Sequence, residues 1–325
     1  MKKILIIGCG QMGSRHLQSL LAMDLDLEIN VIEPQELSIK IAKERVKEVN
    51  KGKGIKNIKW FCSKNDFNGE SDLAIIATTA ENRKEHIFFA LDKEVRFLLV
   101  EKMVAQSTYD YQEIMNALKI HNAKAWVNCT RRYFPAYQHI KNITKEQLPV
   151  SIIVQGGNHG LGSNAIHFID LLCYLCNEDQ SIKLTAQLDK QLFESRHASS
   201  IVEFSGIINA YASDGSHASI SFLPHSKAGC DVLILEKQSR YRIFEGEEIA
   251  FSAHEKENWH LSEYLFQSVY TSKLTGKIVS EIFETYNCLL PEVGNLFHIH
   301  QSLFNIFNEH IANNSDKKFD YCPIT

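Results

Sequence analysis

No stretch of this chain is apolar for long enough to cross a membrane as a helix, which takes roughly 20 consecutive residues. Positive charge is not in excess either, because 35 Lys and Arg residues stand against 39 Asp and Glu residues, a net charge of −4. A basic surface for nucleic acid or anionic lipid is therefore not expected. The first residues also lack the basic region, apolar stretch and cleavage site of a secretion signal. We expect a cytoplasmic protein with no nucleic-acid or membrane partner.

Cysteine shows no disulfide pattern, since eight residues are scattered over the 325 of the chain. Several of them, including Cys62 and Cys129, lie in apolar runs typical of buried positions. Cys173 and Cys176 have the C-x-x-C spacing that can also indicate a metal or redox site. Because both lie in an apolar run of a chain expected in a reducing compartment, packing is the favoured interpretation. No metal site is predicted.

The chain is long enough for about two domains. Its first part alternates between strand-like and helix-like segments. The predicted strands are Lys3–Ile7, Glu28–Ile32, Ile58–Cys62, Leu73–Thr78, Arg96–Val100 and Ala125–Cys129, and the predicted helices are Met12–Met23, Gln35–Asn50, Glu81–Leu91 and Thr108–His121. Such alternation favours parallel strands joined by right-handed crossovers, with helices on both faces. We therefore predict an α/β domain with a parallel sheet over residues 1–123.

The second part has a different pattern, in which short strands follow one another. The predicted strands are Val150–Gln155, Ile182–Leu188, Ser200–Phe204, Ile207–Ala212, His217–Phe222, Asp231–Glu236 and Arg240–Phe244, with helices over Asn164–Cys176 and Pro291–Ala312. Polar and apolar residues alternate in His217–Phe222, so one face of the sheet is expected to meet water. Asp214-Gly215 between two strands is a hairpin signal. We predict that residues 124–325 form a second α/β domain with a large, open, mostly antiparallel sheet.

The most specific motif lies at the start of the chain, where a short apolar run leads into G-x-G-x-x-G and then into a helix. An acidic residue, Glu33, follows the last glycine by 20 positions and ends a second apolar run. This is the fingerprint of a dinucleotide site: the glycines admit the pyrophosphate at the helix N-terminus and the acid binds the ribose hydroxyls. The residues predicted to bind the dinucleotide here are Gly8, Gly10, Gln11, Met12, Gly13 and Glu33.

Further candidates lie where strands end, because ligands of an open parallel sheet bind beyond the carboxyl ends of its strands. Thr78 and Thr79 follow the fourth strand and are small enough for close contact with a dinucleotide. Glu101 and Lys102 follow the fifth strand, near the expected position of a nicotinamide ring. Lys102 is therefore a candidate acid–base residue, and Glu101 a candidate cofactor contact. The alternative is a surface lysine paired with Glu101.

In the second half, a glycine-rich segment leads into the helix predicted over Asn164–Cys176. Asn164 is the expected N-cap. His167 and Asp170 are three residues apart, so they lie on one face near the helix N-terminus. A histidine there tends to be neutral and can accept a proton from a hydroxyl. His167 is thus a candidate catalytic residue, and Asn164 and Asp170 are candidate substrate contacts.

Basic residues follow the sixth strand in the segment Arg131-Arg132-Tyr133. Arg132 and Tyr133 could meet an anionic or phosphorylated substrate. The alternative interpretation is a solvated basic pair.

Taken together, these motifs resemble the Gfo/Idh/MocA oxidoreductases, the family of glucose–fructose oxidoreductase and inositol dehydrogenase. The matching segments are Gly8 to Gly13 with Arg15 and His16, Glu101-Lys102, Arg132-Tyr133 and His167 to Leu172. The resemblance implies a Rossmann domain, a second domain with an open antiparallel sheet, and bound NAD. It also implies reversible hydride transfer between nicotinamide and a secondary hydroxyl of a sugar, nucleotide sugar or polyol. In this interpretation Lys102 is catalytic and His167 faces the substrate.

The chain departs from the family pattern at several of these positions. Met103 stands in place of a proline after the lysine, and Ser163 stands where dehydrogenases of the family usually have an aspartate. Thr79 and Arg83 occupy positions usually held by proline and histidine. The sequence thus resembles a divergent branch of the family, with a resemblance to members associated with surface-polysaccharide biosynthesis.

Other functions remain open because of Ser163. A non-catalytic NAD-binding or regulatory homologue would need no carboxylate there, and an epimerase- or glycosidase-like enzyme would recycle tightly bound NAD. Glu33 favours NAD over NADP, because a carboxylate repels a 2′-phosphate. The open sheet face is expected to be buried in a homodimer or homotetramer.

Overall fold

The computed structural model describes residues 1–144, 148–177, 181–195, 200–315 and 321–325. The chain folds into two compact units. Unit 1 consists of residues 1–105, 109–128 and 269–294, and unit 2 consists of residues 106–108, 129–268 and 295–325. Within the described ranges, no helix is long and apolar enough to cross a membrane.

The elements follow the predicted order, with additions. The strands are β1 (Lys2–Ile7), β2 (Leu27–Ile32), β3 (Lys56–Phe61), β4 (Leu73–Ile76), β5 (Phe97–Val100), β6 (Lys124–Val127), β7 (Ser151–Gly156), β8 (Lys183–Leu188), β9 (Phe193–Glu194), β10 (Val202–Glu203), β11 (Gly206–Tyr211), β12 (His217–Phe222), β13 (Asp231–Leu235), β14 (Ser239–Phe244), β15 (Ile249–His254) and β16 (Ser262–Tyr264). The helices are α1 (Gln11–Leu21), α2 (Glu36–Lys47), α3 (Arg83–Asp92), α4 (Thr108–Ile120), α5 (Pro135–Thr144), α6 (Leu161–Cys176), α7 (Thr271–Thr285) and α8 (Phe297–Asn314).

Unit 1 contains a six-stranded sheet in the order β3-β2-β1-β4-β5-β6. Every pairing in it is parallel, as the alternation of segments predicted. The central strand β4 is buried along its whole length, which explains its unbroken apolar sequence. The strand order reverses between β1 and β4, so the crevice at their carboxyl ends is the expected ligand site of such a sheet.

The helix α7 also belongs to unit 1, although it lies far away in the sequence. It packs against α1. A side chain at Gly276 of α7 would lie 2.8 Å from Met23 and 3.1 Å from the Ser19 carbonyl, so the approach requires glycine. The Gly276 N–H donates to Ser19 Oγ at 2.9 Å. No local pattern indicated this long-range packing, and α7 was not predicted.

Unit 2 contains an eight-stranded sheet in the order β16-β15-β14-β13-β7-β12-β11-β8. All its pairings are antiparallel except that of β7 with β12. The prediction of a second, mostly antiparallel α/β fold is thus confirmed, including the hairpin at Asp214-Gly215 between β11 and β12. On β12, buried Ala218, Ile220 and Phe222 alternate with less buried residues. The helix α6 packs against β11 and β12.

Apart from residues 106–108, which belong to unit 2, the predicted division after residue 123 differs from the observed units at two places. The strand β6 pairs with β5 and so completes the parallel sheet of unit 1. Residues 269–294 return to unit 1, where Val127 N–H donates to the Pro291 carbonyl at 2.9 Å. The first difference arises because β6 completes the parallel sheet. The second arises because residues 269–294 pack against unit 1 although they are distant in the sequence.

Candidate active site

The glycines of the first motif have distinct roles at the turn from β1 to α1. Gly8 has φ +83°, and a side chain there would lie 2.9 Å from Thr78 Cγ2. A side chain at Gly13 would lie 1.9 Å from the Gly8 carbonyl oxygen, so this glycine permits the close packing of helix on strand. A side chain at Gly10 would meet nothing within 4 Å. The open space beside Gly10 is what a pyrophosphate approaching the backbone needs.

The N-terminus of α1 is open to an anion. Its N-cap is Gly10, which supplies no side-chain cap, and its first turn holds no acidic residue. The free N–H groups that follow, from Gln11 and Met12 onwards, therefore present a partial positive charge. Arg45 of α2 adds a cation here, which sequence reasoning did not place at the site. Its guanidinium donates to Gln11 Oε1 at 2.7 Å and to Ser14 Oγ at 2.6 Å.

The Glu33 carboxylate at the end of β2 is fixed by backbone groups. Its Oε2 accepts from the Cys9 N–H at 2.7 Å, and its Oε1 accepts from the Gln35 N–H at 2.9 Å. Each carboxylate oxygen can accept a second hydrogen bond, which leaves acceptor capacity for ribose hydroxyls. Burial, together with the charge of Glu33, raises the pKa of the Cys9 thiol to about 12. Cys9 is thus a neutral packing residue at neutral pH.

The ends of β4 and β5 hold the next predicted residues. Thr78 is half-buried, and its Oγ1 has no hydrogen-bond partner among the described residues, while Thr79 is exposed. Lys102 is half-buried between two buried neighbours, Glu101 and Met103. Thus unit 1 brings the glycine turn, Glu33, Thr78 and Lys102 to the carboxyl-end edge of one sheet.

Glu101 is the centre of a buried hydrogen-bond network, which differs from the predicted cofactor contact. Its Oε1 lies 3.1 Å from His16 Nε2 and accepts from Asn128 Nδ2 at 2.7 Å. His16 Nδ1 in turn lies 2.7 Å from Thr275 Oγ1 of α7. Burial opposes the charge of Glu101, but the hydrogen bonds of His16 and Asn128 and the charges of His16 and Lys102 prevail. They lower the pKa of Glu101 to about 2.

This network also places the Glu101 carboxylate below the surface, while its charge still interacts with that of Lys102. The Glu101 side chain is only 7% exposed and is bound from within the unit. The turn that contains Lys102 is thus anchored on an ionised, buried carboxylate. His16 and Asn128 are the supporting residues here, and no strand-end signal identified Asn128 for this role.

In unit 2, the helix α6 presents a partly exposed stripe that includes His167. Of its 16 residues, all described, only Asn164, His167 and Tyr174 are not buried. The first two are three positions apart and lie on one face. His167 is thus half-buried on this face, and its role toward a substrate stays a prediction.

The prediction that Asn164 caps α6 is wrong. The helix begins at Leu161, its N-cap is Gly160 with φ +80°, and Asn164 lies within the first turn. The Asn164 Nδ2 donates to the His159 carbonyl, to the Gly160 carbonyl at 3.2 Å and to Ser163 Oγ at 3.1 Å. The helix starts earlier than predicted because glycine permits the left-handed turn before it.

The acceptor at the start of α6 comes from another element, which sequence reasoning missed. The Ser163 N–H donates to Glu203 Oε2 at 3.3 Å. Glu203 lies in β10 and is only 8% exposed. A side chain at Gly160 would approach this carboxylate to 2.4 Å, so the glycine and the carboxylate fit together. An acidic residue inside the apolar run Ile201 to Phe204 was the available signal.

Asp170 and Arg132 bind each other, so the substrate contact predicted for the fully buried Asp170 is corrected, while that of Arg132 stays a prediction. Asp170 is fully buried, and Arg132 donates to it through Nη2 at 2.7 Å and through Nε at 3.0 Å. The predicted partner Tyr133 is 3% exposed and belongs to the core. Arg131 is bound in the same way by Glu245, at 2.6 Å and 2.9 Å, so the alternative of a solvated basic pair is also wrong.

Cys173 and Cys176 are both buried, as the packing interpretation expected. Among the residues that the structure describes, no group of three or more His, Cys, Asp or Glu side chains is arranged to hold a metal ion.

The arrangement in unit 1 fits a nicotinamide dinucleotide. Open space lies beside Gly10, Glu33 retains acceptor capacity, and the buried Thr78 hydroxyl lacks a partner within the described ranges. Residues 2–129 match the Gfo/Idh/MocA family model, described as an oxidoreductase family with an NAD-binding Rossmann fold. This match confirms, over these residues, the resemblance and the NAD cofactor predicted from the sequence.

No curated protein matches the chain. Three solved structures share its fold over nearly the whole length. An oxidoreductase from Agrobacterium radiobacter in complex with NAD+, L-tartaric acid and magnesium is 12% identical, with 96% of both chains covered and a TM-score of 0.71. UDP-N-acetylglucosamine 3-dehydrogenase from Acidithiobacillus ferrooxidans is 12% identical, with 94% of this chain and 96% of that chain covered and a TM-score of 0.69. A super-repressor mutant of Gal80p from Saccharomyces cerevisiae is 13% identical, with 96% of both chains covered and a TM-score of 0.71.

Proposed function

We propose that the protein is an NAD-dependent dehydrogenase that acts on a secondary hydroxyl of a sugar, nucleotide sugar or polyol. The observation that carries the proposal is the position of Lys102. Its half-buried side chain follows β5, beside the ionised Glu101 and in the same unit as the glycine turn. A lysine amine at the carboxyl-end edge of the sheet is suited to this chemistry, because its neutral form accepts the hydroxyl proton and its protonated form returns it.

We propose a separate role in the reaction for NAD and for each of the residues involved. NAD, when bound, supplies or accepts the hydride. Lys102 takes up the hydroxyl proton at Nζ in oxidation and returns it in reduction. Glu101, fixed by His16 and Asn128, holds the lysine turn in place. His167, which lies in unit 2, stays a predicted substrate contact.

The substrate class rests on the resemblance and on one relative. The structure from Acidithiobacillus ferrooxidans belongs to a dehydrogenase of UDP-N-acetylglucosamine, and it shares the fold of this chain. We therefore expect a nucleotide sugar before a free polyol, with surface-polysaccharide biosynthesis as the setting.

A panel of nucleotide sugars and polyols, assayed for NADH formation with the purified protein, tests the proposal. Mass spectrometry of ligands that copurify should identify NAD and narrow the panel. NADH formation on at least one hydroxylated substrate is expected. Binding of NAD with no turnover in either direction across the panel would reject the dehydrogenase.

That second outcome would support a regulatory NAD-binding protein. Two observations favour this candidate: residue 163 is a serine and not the aspartate usual in dehydrogenases of the family, and the fold is shared with a super-repressor mutant of Gal80p. An enzyme that recycles tightly held NAD would instead retain the cofactor through purification and release no NADH while converting its substrate.

A further inference from the structure

Arg83, the first residue of α3, is a charged side chain inside unit 1. It is 1% exposed. Its Nη1 donates to the Met103 carbonyl, and its Nη2 donates to the Thr78 carbonyl. Its Nε has no hydrogen-bond partner among the described residues. Burial lowers the pKa of Arg83 to about 10 against the opposing charge of Glu101, so the guanidinium is still cationic at neutral pH.

Burying an arginine in a core costs more free energy than burying an apolar side chain. None of the ion pairs within the described ranges includes Arg83. A buried charge is costly even when it is paired, and apolar side chains of similar volume often replace such groups without loss of stability. Packing alone would therefore favour a methionine or leucine here. The arginine needs another reason, and its two acceptors suggest one.

The two acceptors belong to the turns that carry the proposed chemistry. The Thr78 carbonyl follows β4, and the Met103 carbonyl follows β5 one residue after Lys102. These strands are neighbours, with Ile76 paired to Val100. A guanidinium is a planar fork of donors with fixed geometry, so it can set the separation of two carbonyls. Arg83 thereby joins the two strand-end turns.

The backbone of Lys102 is consequently held from both sides. On one side, the Glu101 carboxylate is bound by His16 and Asn128. On the other side, the Met103 carbonyl is bound by Arg83. Both neighbours of Lys102 are buried, while its own side chain is half-buried. The fixed backbone restricts where Nζ can reach.

We propose that Arg83 is a positioning residue, which clamps the carbonyls of Thr78 and Met103 and thereby fixes Lys102 for proton transfer. This inference rests on the proposed function of Lys102. It assigns to Arg83 no contact with substrate or cofactor. Misplacement of a catalytic group by about 1 Å can lower a rate about 100-fold.

Two variants separate positioning from packing. Arg83→Met fills the space without donors, and Arg83→Lys keeps the charge but cannot bridge two carbonyls. We expect each to lower kcat about 10- to 100-fold. The KM for the sugar substrate, the NADH affinity and the melting temperature should change little. The matched control is Arg96→Met, since Arg96 is an exposed arginine of the same unit.

A second readout follows Lys102 without turnover. Amine labelling with acetic anhydride, measured across pH by mass spectrometry, gives the reactivity of Lys102 against that of exposed Lys119 as an internal reference. The pH profile of Lys102 labelling should change in both Arg83 variants and stay unchanged in Arg96→Met. The labelling experiment needs no substrate turnover. Failure of the proposed dehydrogenase function can therefore be distinguished from failure of the clamp.

Three results would overturn the clamp. The first is an unchanged kcat and an unchanged Lys102 labelling profile in both variants. The second is full activity in Arg83→Lys, because a single donor group would then suffice. The third is a loss of folded structure or of NADH binding that parallels the loss of kcat. Arg83 would then stabilise the fold and would not position Lys102.

Discussion

The Glu203 carboxylate accepts a hydrogen bond from the backbone N–H of Ser163, with 3.3 Å between Oε2 and N. A side chain from a separate strand thus supplies the acceptor that the N-cap Gly160 cannot supply to α6. The carboxylate also faces the positive end of the helix dipole. In this chain a carboxylate is therefore present beside position 163, although it comes from elsewhere in the sequence.

Glu203→Ala should lower the free energy of unfolding by about 1 kcal/mol, because α6 loses its N-terminal acceptor. Urea denaturation of the purified variant measures this change. Glu194→Ala is the matched control, since Glu194 is an exposed acid of β9, which pairs with β10. Equal stability of the two variants would show that the Ser163 contact contributes nothing.

Lys102→Ala should lower turnover by about 100- to 10,000-fold, the range of general acid–base catalysis. NADH binding should be retained, because the glycine turn and Glu33 are untouched. Steady-state kinetics and a fluorescence titration give the two quantities. Lys119→Ala, at an exposed position of α4, should behave as wild type. Wild-type turnover in Lys102→Ala would reject the assigned role.

Glu33 should make the protein prefer NADH to NADPH, because its carboxylate repels a 2′-phosphate. Glu33→Gln removes the charge and keeps an oxygen acceptor, so it should narrow the difference between the two dissociation constants. Titration of both cofactors against both proteins checks this. Glu36→Gln, at an exposed acid three residues further on, is the control. Tighter binding of NADPH by the wild type would contradict the assignment.

Stability should depend on the ionisation of Glu101 in acid. Its pKa in the folded protein is about 2, below the ordinary value of 4.5, so the folded state holds the charged form more strongly than the unfolded state does. The stabilisation is present above about pH 4.5 and is lost as the pH falls towards 2. The difference in unfolding free energy between wild type and Glu101→Gln should therefore shrink across this window. A constant difference would exclude a depressed pKa.

The open face of the eight-stranded sheet should form the contact of a homodimer or homotetramer. Ile153 on β7 and Leu235 on β13 are about two-fifths exposed, at 41% and 39%. Light scattering should give a mass above the 37.1 kDa of one chain. Ile153→Glu should reduce that mass, because it places a charge in a face expected to be buried. A monomeric wild type would reject the prediction.

The parallel half of the fold could be predicted because its signals are local. Buried runs such as Ile4 to Ile7 and the glycine turn that follows define strand, turn and helix in one continuous segment. The second sheet was predicted as a class, but β15 and β16 were missed because their short segments lack strong alternation or apolar runs.

The place of a candidate site residue was predictable where position along a strand decides it, as for Lys102 after β5. They were not predictable where a distant partner decides it. Asp170 was expected near a substrate, but Arg132 binds it in the core of unit 2. Arg83 was noticed only as a departure from the family pattern, because its acceptors are two backbone carbonyls that only the fold brings together.

The position of α7 has a consequence for how the protein is made. The last element packed against α1 is translated after β7 to β16. During synthesis, His16 therefore lacks its Thr275 partner until about six-sevenths of the chain exists, and the surface of α1 that receives Gly276 stays uncovered. A nascent chain stopped before residue 271 would contain the glycine turn and β1 to β6. It would still expose the surface of α1 that α7 covers, to which a chaperone could bind. The first residues of this protein to be made are among the last to be completely packed.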